Sequence, residues 1–461
     1  MPWLWNRKSY TRDSILKQSG RRVLSSERSI LFGYFLLHIL AGTILLSMDF
    51  CWAGNGDFTF LDSLFTSVSA VCVTGLSTVN TSGFSMAGQI ILLYLIQAGG
   101  LGIITFSMLY LFIPGSRMSM ENQKIIQGYY SRDSGMSSRK IVGYILLFTF
   151  IIEGSGCLGL FFELKKAGDP EPFWNGLFHA VSAFCNAGFS RYDHSLAGYR
   201  SNVIVNIIVM LLIISGGLGF MTIWDVVRKL GDWRKRLQLQ TKIMLLATPL
   251  LIVAGWLLFL VFESSNSLKS LSASEKILAS LFQSVTTRTA GFNTIDQASL
   301  SSPSYLLTLV LMIIGGGSGS TAGGLKVSTA VLLFLVFIQR MNRKGESRLF
   351  NRRIDRTSLT RASMLFVKAM GILILVVFLL MITESGNENL TTGKLAFEAF
   401  SALGTVGLSQ GITSDLSVLG KLIIILTMFS GRVGLFALVM PDHDRMEERF
   451  IDYPKGEVLI G

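Results

Sequence analysis

The chain has 461 residues, 50% of them hydrophobic and only 15% charged, with a formal net charge of +12. So large an apolar share excludes an ordinary soluble domain and points to an integral membrane protein. The basic excess does not indicate nucleic acid, because it is spread between hydrophobic runs instead of gathered on one folded face.

In chain order, residues 1–28 come first, with seven Lys/Arg and two acids. They read as a retained basic cytoplasmic tail and not as a signal peptide. Eight apolar segments follow, at 30–48, 88–114, 141–162, 203–224, 243–262, 305–339, 362–382 and 422–440. Each is near or above the roughly 20 residues needed to cross a bilayer as a helix. The linkers 113–141, 226–242 and 338–361 hold five, six and eight Lys/Arg; with the tail they carry 26 of the 41 basic residues. Lys and Arg accumulate in cytoplasmic loops, so these four segments, the N-terminus included, are expected in the cytoplasm. The four cysteines are isolated, without CxxC spacing, and indicate neither zinc nor a disulfide framework.

A pattern recurs between the apolar runs. "VCVTGLS", "FCNAGFS", "RTAGFN" and "GTVGLS" each place one glycine (Gly75, Gly188, Gly291, Gly407) before Leu or Phe and then Ser or Asn. Phe65, Phe178 and Phe397 lie ten residues before their glycine, and Phe282 lies nine before. A second glycine cluster ends at Gly102, Gly219, Gly319 and Gly434, at offsets of 27, 31, 28 and 27 residues. Four copies at such regular spacing make an internal repeat. The segment between each phenylalanine and its glycine is too short to cross, so it must enter the membrane and return on the same side. Two crossings per repeat then put every linker between repeats on one side, as the basic linkers require. The expected fold is an all-α polytopic membrane protein. Its four pseudo-symmetric repeats (29–112, 141–225, 240–340 and 361–441) surround a central pore, followed by a tail at 442–461. Each repeat has an outer helix, a re-entrant pore helix with a filter loop, and an inner helix. Glycines that merely let helices pack closely would explain "GGLG" alone but not the glycine turns, since a packing glycine needs no re-entrant half-helix before it.

Glycine reaches positive φ without steric cost, and alternating such conformations turns successive carbonyl oxygens to one side. Four loops around an axis then offer rings of carbonyls in place of a cation's water shell. Arg288 is the one charged residue in the loops, so backbone dipoles must do the coordinating. This lining suits a weakly hydrated monovalent cation, since a divalent one calls for carboxylates. The loops that would offer these rings hold Val73, Thr74 and Gly75; Asn186, Ala187 and Gly188; Thr289, Ala290 and Gly291; and Thr405, Val406 and Gly407.

The run Gly315–Gly324, "GGGSGSTAGG", has six glycines in ten residues inside an apolar region too long for one crossing. The helix is expected to break there. Gly317-x-Gly319-x-x-Ala322 satisfies a relaxed dinucleotide fingerprint, but no strand or acidic partner accompanies it. The better reading is a flexible intramembrane loop below the filter, facing a water-filled cavity, comprising Gly315, Gly316, Gly317, Ser318, Gly319, Ser320, Thr321, Ala322, Gly323 and Gly324. Arg432 stands where the other repeats have Gly100, Gly217 and Gly317, and free carbonyls of the broken helix are its natural partners. Lys326 either snorkels towards the cytoplasm or serves the gate. Structural pairing is the expectation for Glu153 and Glu398. His179, Glu398, Thr66 and Gln283 share one pore-helix position without a common chemistry. No metal-ligand cluster, nucleophile–base pair or phosphate loop supports an enzyme. A secondary transporter of small organic solutes, which also uses broken helices, is the rival function.

Thr405-Val406-Gly407 reproduces the first three residues of the potassium-channel filter TVGYG. With "TTRTAGFNT" in the third loop, the four glycine turns resemble the Trk/Ktr/HKT superfamily of cation transporters over most of the chain. The start at the first repeat and the ending "YPKGEVLIG" are most similar to KtrB-type membrane subunits. The resemblance implies that Gly75, Gly188, Gly291 and Gly407 are the filter glycines, with the carbonyls of the residues before them as ligands, and that potassium, the substrate, is taken up across the plasma membrane through this filter with no covalent cofactor. It also implies sodium as an activator, a glycine-loop gate, a homodimer, and nucleotide acting only through a ring of cytoplasmic regulatory subunits; the apolar "VLI" end, with no membrane-length span to join, is the reason to expect Asp452–Gly461 at the dimer contact.

Overall fold

A computed structural model describes residues 27–54, 56–102, 138–338 and 347–434. Four outer helices, α1 (Glu27–Leu46), α4 (Ser138–Lys166), α8 (Leu239–Glu263) and α12 (Arg356–Thr383), open the four repeats. The pore helices are α2 (Phe60–Val71), α5 (Pro172–Phe184), α9 (Ala273–Thr286) and α13 (Thr392–Gly404). With 12 to 14 residues each, they are too short to span a bilayer. The inner helices are α3 (Met86–Gly100), α6 (Val203–Leu218), α10 (Ser302–Ile313) and α14 (Val418–Phe429). A second leg follows two of them, α7 (Phe220–Gly231) after α6 and α11 (Val327–Ile338) after α10.

Local chemistry sets the helix starts. Thr59 and Ser272 build capping boxes with Asp62 and Glu275 at the heads of α2 and α9, and Pro172 opens α5 with the φ a first turn needs. Two outer helices end in carboxylates that sit on the next inner helix. Glu263 Oε1 accepts from the Ser301 N–H at 2.9 Å and its hydroxyl at 2.6 Å, and Glu384 Oε1 accepts from the Ser417 hydroxyl at 2.6 Å. Each places negative charge at the positive end of an inner-helix dipole. The repeated phenylalanines Phe65, Phe178, Phe282 and Phe397 are all fully buried and wedge the pore helices into the centre. Ser67 donates to Ile39 O at 2.9 Å and Ser284 to Ile252 O at 2.7 Å, tying the first and third pore helices to their outer helices.

The inner helices depart from unbroken crossings. The apolar run 203–224 is not one span: α6 stops at Leu218, Gly219 turns with φ 90°, and α7 leaves at 98°. The cause is a competing set of backbone bonds. Gly217 O and Gly216 O, which would serve the next turn of helix, instead accept from Gly317 N at 2.7 Å and Thr321 N at 3.3 Å. The region 305–339 breaks between Ile313 and Val327. After α14 the chain passes through a π-helical turn, Ser430–Gly434. Among the described residues, three helices (α8 and α12 whole, α4 from Val142) are long and apolar enough to cross alone. The helical expectation also omits a small antiparallel hairpin, β1 (Ser347–Leu349) with β2 (Arg352–Ile354), in the third basic linker. The tail 1–26, the stretch 103–137 and the segment 435–461, with the expected dimer contact, lie outside the described residues.

Candidate ion-conducting site

Each pore helix delivers its loop through the same local bonds. The residue before the filter glycine donates its N–H back into the helix: Thr74 to Ser69 O and Ala187 to Ser182 O, both at 2.8 Å, Val406 to Ser401 O at 2.8 Å and Ala290 to Thr286 O at 3.0 Å. The third reaches back four residues and the others five, which accounts for the one-residue shortening after Phe282. A hydroxyl then buttresses the glycine turn in every repeat. Ser69 and Ser401 accept from the N–H of Gly75 and Gly407 at 3.0 Å, while Ser182 and Thr286 donate to Phe189 O at 2.8 Å and Phe292 O at 2.5 Å. Sequence reasoning passed over this column of Ser, Ser, Thr and Ser, although aligning the repeats exposes it.

The backbone alternates as the glycine argument requires. Val73, Asn186, Thr289 and Thr405 have φ of 55°, 58°, 71° and 49°, the filter glycines have φ of 95°, 71°, 81° and 91°, and the residue between is not left-handed. A non-glycine residue pays for such a φ, and its surroundings must enforce it. The four turns close on one another in cyclic order. A side chain on Gly75 would strike Ala187 O, and one on Gly407 would strike Thr74 O. A Cβ on Gly188 would lie 2.9 Å from Ala290 O, and one on Gly291 would lie 2.6 Å from Val406 O. Each glycine thus abuts the carbonyl that precedes the next repeat's glycine, and the ring leaves no room for a Cβ. Among the described residues, the buried hydroxyls of Thr74, Thr289 and Thr405 have no hydrogen-bond partner, which leaves oxygen capacity beside the ring. Arg288 is buried behind the third loop, and its Nε has no partner among the described residues.

On one side of the ring lies a cavity of about 510 Å³ lined by all four repeats, with Asp193, Asp296 and Gln297 in its wall. Its rim is stitched between neighbours. The Ser82 hydroxyl donates to Asp193, Leu196 N donates to Asn293 O at 3.1 Å, and Gln410 Nε2 donates to Gln297 O at 3.2 Å. Lys421 in the fourth repeat pairs with Asp62 in the first at 3.8 Å, completing the circuit. The shared pore-helix position bonds the outer limb of the loop in three of the four repeats, by side chains of different chemistry. His179 meets the Ser190 hydroxyl at 2.9 Å, Gln283 bonds Gln297 at 2.7 Å, and Glu398 accepts from the Ser409 hydroxyl. The Thr66 hydroxyl at the same position has no hydrogen-bond partner among the described residues. In the outer loop of the second repeat, burial pushes the Asp169 carboxyl up. Donors at Tyr192 OH (2.6 Å), Glu171 N (2.9 Å), Asn175 Nδ2 (2.6 Å) and Tyr199 OH (3.0 Å) outweigh it, so the group lies below the usual carboxylate range.

On the other side lies the run Gly315–Gly324. Gly315 N donates to Leu325 O at 2.7 Å and Val327 N to Gly316 O at 3.0 Å, closing a loop between α10 and α11. It presses on the filter itself. The side chains of Thr321 and Asn186 lie 2.9 Å apart, Thr321 Oγ1 donates to Phe184 O at 3.1 Å, and a side chain on Gly323 would strike Thr405. Arg432 forks across the gap, donating through Nη1 to Thr321 O and through Nη2 to Gly99 O at 2.7 Å. Lys326 does not snorkel: its Nζ donates to Ala322 O at 2.6 Å. Glu153 pairs with Gln97 at 3.3 Å and lies 3.9 Å from the Cys185 thiol. Cys51, Cys72, Cys157 and Cys185 are all free and buried.

The family of cation transport proteins designated TrkH matches residues 16–449. The chain belongs to this family. It is 37% identical over 456 residues to the potassium/sodium uptake protein NtpJ of Enterococcus hirae, covering 97% of this chain and all of that one. The Ktr system potassium uptake protein B of Bacillus subtilis is 36% identical over 431 residues, covering 93% of this chain and 95% of the relative. The crystal structure of the potassium transporter TrkH from Vibrio parahaemolyticus superposes with a TM-score of 0.66 at 20% identity, over 95% of this chain and 86% of that one. Membership in the TrkH family makes the molecule a membrane protein built for transport. The shared fold is four repeats of outer helix, re-entrant pore helix and inner helix around a pore.

Proposed function

We propose that this TrkH-family chain takes up potassium across the plasma membrane through the ring formed by Val73–Gly75, Asn186–Gly188, Thr289–Gly291 and Thr405–Gly407. The observation that carries the reading is the cyclic closure of the four glycine turns, each against the next repeat's carbonyl. Backbone carbonyls fixed by positive-φ turns replace the water of a weakly hydrated cation without introducing charge. The cavity with Asp193 and Asp296 is the outer mouth, and the basic linkers set the opposite face, with the N-terminus, in the cytoplasm. Gly315–Gly324, held under the ring by Arg432, is the gate. Relatives named for potassium and sodium uptake support the choice of ion, and sodium enters this reading as an activator.

Two copies of the chain are proposed to assemble on a ring of nucleotide-binding regulatory subunits, which would move the loop Gly315–Gly324. The test is rubidium uptake into vesicles holding the purified protein, with sodium and potassium as competitors. Uptake blocked by potassium and insensitive to small organic solutes is expected; a chain that carries no rubidium while folded would end the reading.

A further inference from the structure

The second leg of the second repeat lies outside the filter ring described above and is joined directly to the gate loop. Phe220 N donates to Gly319 O at 3.1 Å, Gly317 N to Gly217 O at 2.7 Å and Thr321 N to Gly216 O at 3.3 Å. These bonds run the loop alongside the hinge at Gly219, whose own Cβ position lies 2.7 Å from Ser318 O. Any rotation of α7 about that hinge is therefore felt by Gly317–Thr321.

The chemistry of α7 and the turn after it is that of a membrane surface. α7 leaves α6 at 98°; with α6 crossing the bilayer, as the pore reading has it, α7 runs along the membrane plane. One face holds it to the protein. Phe220, Thr222 and Asp225 are buried, Trp224 meets Tyr144 edge to face at 4.5 Å, and Asp225 accepts from Gln238 N at 2.8 Å and Arg228 at 2.5 Å. The opposite arc is apolar and open: Val227 is 47% exposed, Leu230 63% and Trp233 77%. Directly behind it come Arg234, Lys235 and Arg236, all exposed. The side chains of Arg234 and Arg236 pair with no described residue, and Lys235 has only a 3.9 Å contact with Asp232. The flanking helices α4 and α8 expose Leu147, Phe150, Leu246 and Leu250, so the open arc continues their lipid-facing surface. Open apolar residues with a tryptophan, edged by exposed cations, fit the acyl boundary and phosphates of anionic lipid.

We infer that Phe220–Leu237 is an arm that binds anionic lipid and, once seated, holds the hinge bent and the loop under the filter. The functional half of this inference rests on the pore reading given above. Anionic lipid then stabilises the closed loop, and basal flux falls as the membrane becomes more negative.

The experiment uses the full chain in vesicles of phosphatidylcholine alone and of phosphatidylcholine with phosphatidylglycerol. Basal rubidium flux is expected to fall about fivefold in the anionic vesicles. R234Q/K235Q/R236Q should keep the flux of neutral vesicles in both. Quenching by brominated phosphatidylglycerol, taken as the difference between the parent and Trp233→Phe, should be strong in the parent and reduced in the neutralised variant. Flux independent of lipid charge in the parent, or equally dependent in the variant, overturns the inference. So does an unquenched Trp233. If neutralisation instead removed only the response to the regulatory subunit, the arm would be a protein dock and the lipid assignment would fail. A parent that carries no rubidium in any vesicle while Trp233 is quenched would sink the pore reading and leave the lipid seat standing.

Discussion

Gly75 is held by the next repeat as much as by its own. A serine there must adopt φ 95° and push its Cβ into Ala187 O, so the ring opens at that quarter. Gly75→Ser is expected to raise the sodium-to-potassium permeability ratio, measured from competition in vesicle flux. An unchanged ratio would remove Gly75 from the filter. Ser401→Ala deletes the acceptor that the Gly407 N–H uses at 3.0 Å and leaves that donor unpaired. A loss of about 1–2 kcal/mol is expected, read as a lower unfolding temperature, with weakened potassium preference. Asp169 adds a pH-dependent contribution. Its folded carboxyl titrates below the unfolded one, so the stability it confers is complete above the unfolded value and is lost as pH falls through the folded value. The parent should lose more melting temperature between pH 6 and 3 than Asp169→Asn, which should be less stable by about 1 kcal/mol at neutral pH after allowance for solvent screening. Equal acid sensitivity in both would discharge Asp169 from that role.

At the scale of elements, the loop and the fourth inner helix form one latch. Arg432 reaches Thr321 O with one nitrogen and Gly99 O with the other, a fork that a lysine cannot reproduce from a single ammonium. Arg432→Lys should therefore raise basal flux nearly as much as Arg432→Ala, and deletion of residues 318–323 should raise it further. Abolished transport in folded protein would make the loop part of the path instead. The broken third inner helix was legible because six glycines in ten residues cannot hold a helix. The kink in the second was not. Hydropathy runs on through Phe220–Trp224, and the bonds that stop α6 come from Gly317 and Thr321, about a hundred residues downstream. The filter glycines were legible because their spacing repeats. The hydroxyl column behind them was in plain view, but a serine in a helix commonly bonds its own preceding turn, so its turn to the loop was not readable from one chain.

For the whole molecule, four unlike repeats in one chain make a ring whose joints all differ: a carboxylate and hydroxyl, two backbone or amide bonds, and the Lys421–Asp62 pair. The proposed pairing of two such chains gives the last prediction. Removing residues 452–461 should shift the detergent-solubilised protein from dimer to monomer in sizing, and it should lower the response to regulatory subunit and nucleotide. A truncated chain that stays paired and responsive would place the contact elsewhere.

The crowding of the four glycines has a consequence for how such a pore can change. Since hydrogen atoms already fill the space between each turn and its neighbour's carbonyl, the aperture's calibre belongs to the main chain and owes nothing to side-chain size. Substitution cannot widen it by degrees; it can only break it. Graded adjustment of ion preference must come from behind, through the hydroxyls of Ser69, Ser182, Thr286 and Ser401 that set the pitch of each turn. Swapping Thr286 for serine is then a fine-tuning screw, while swapping Gly291 for alanine is a fracture.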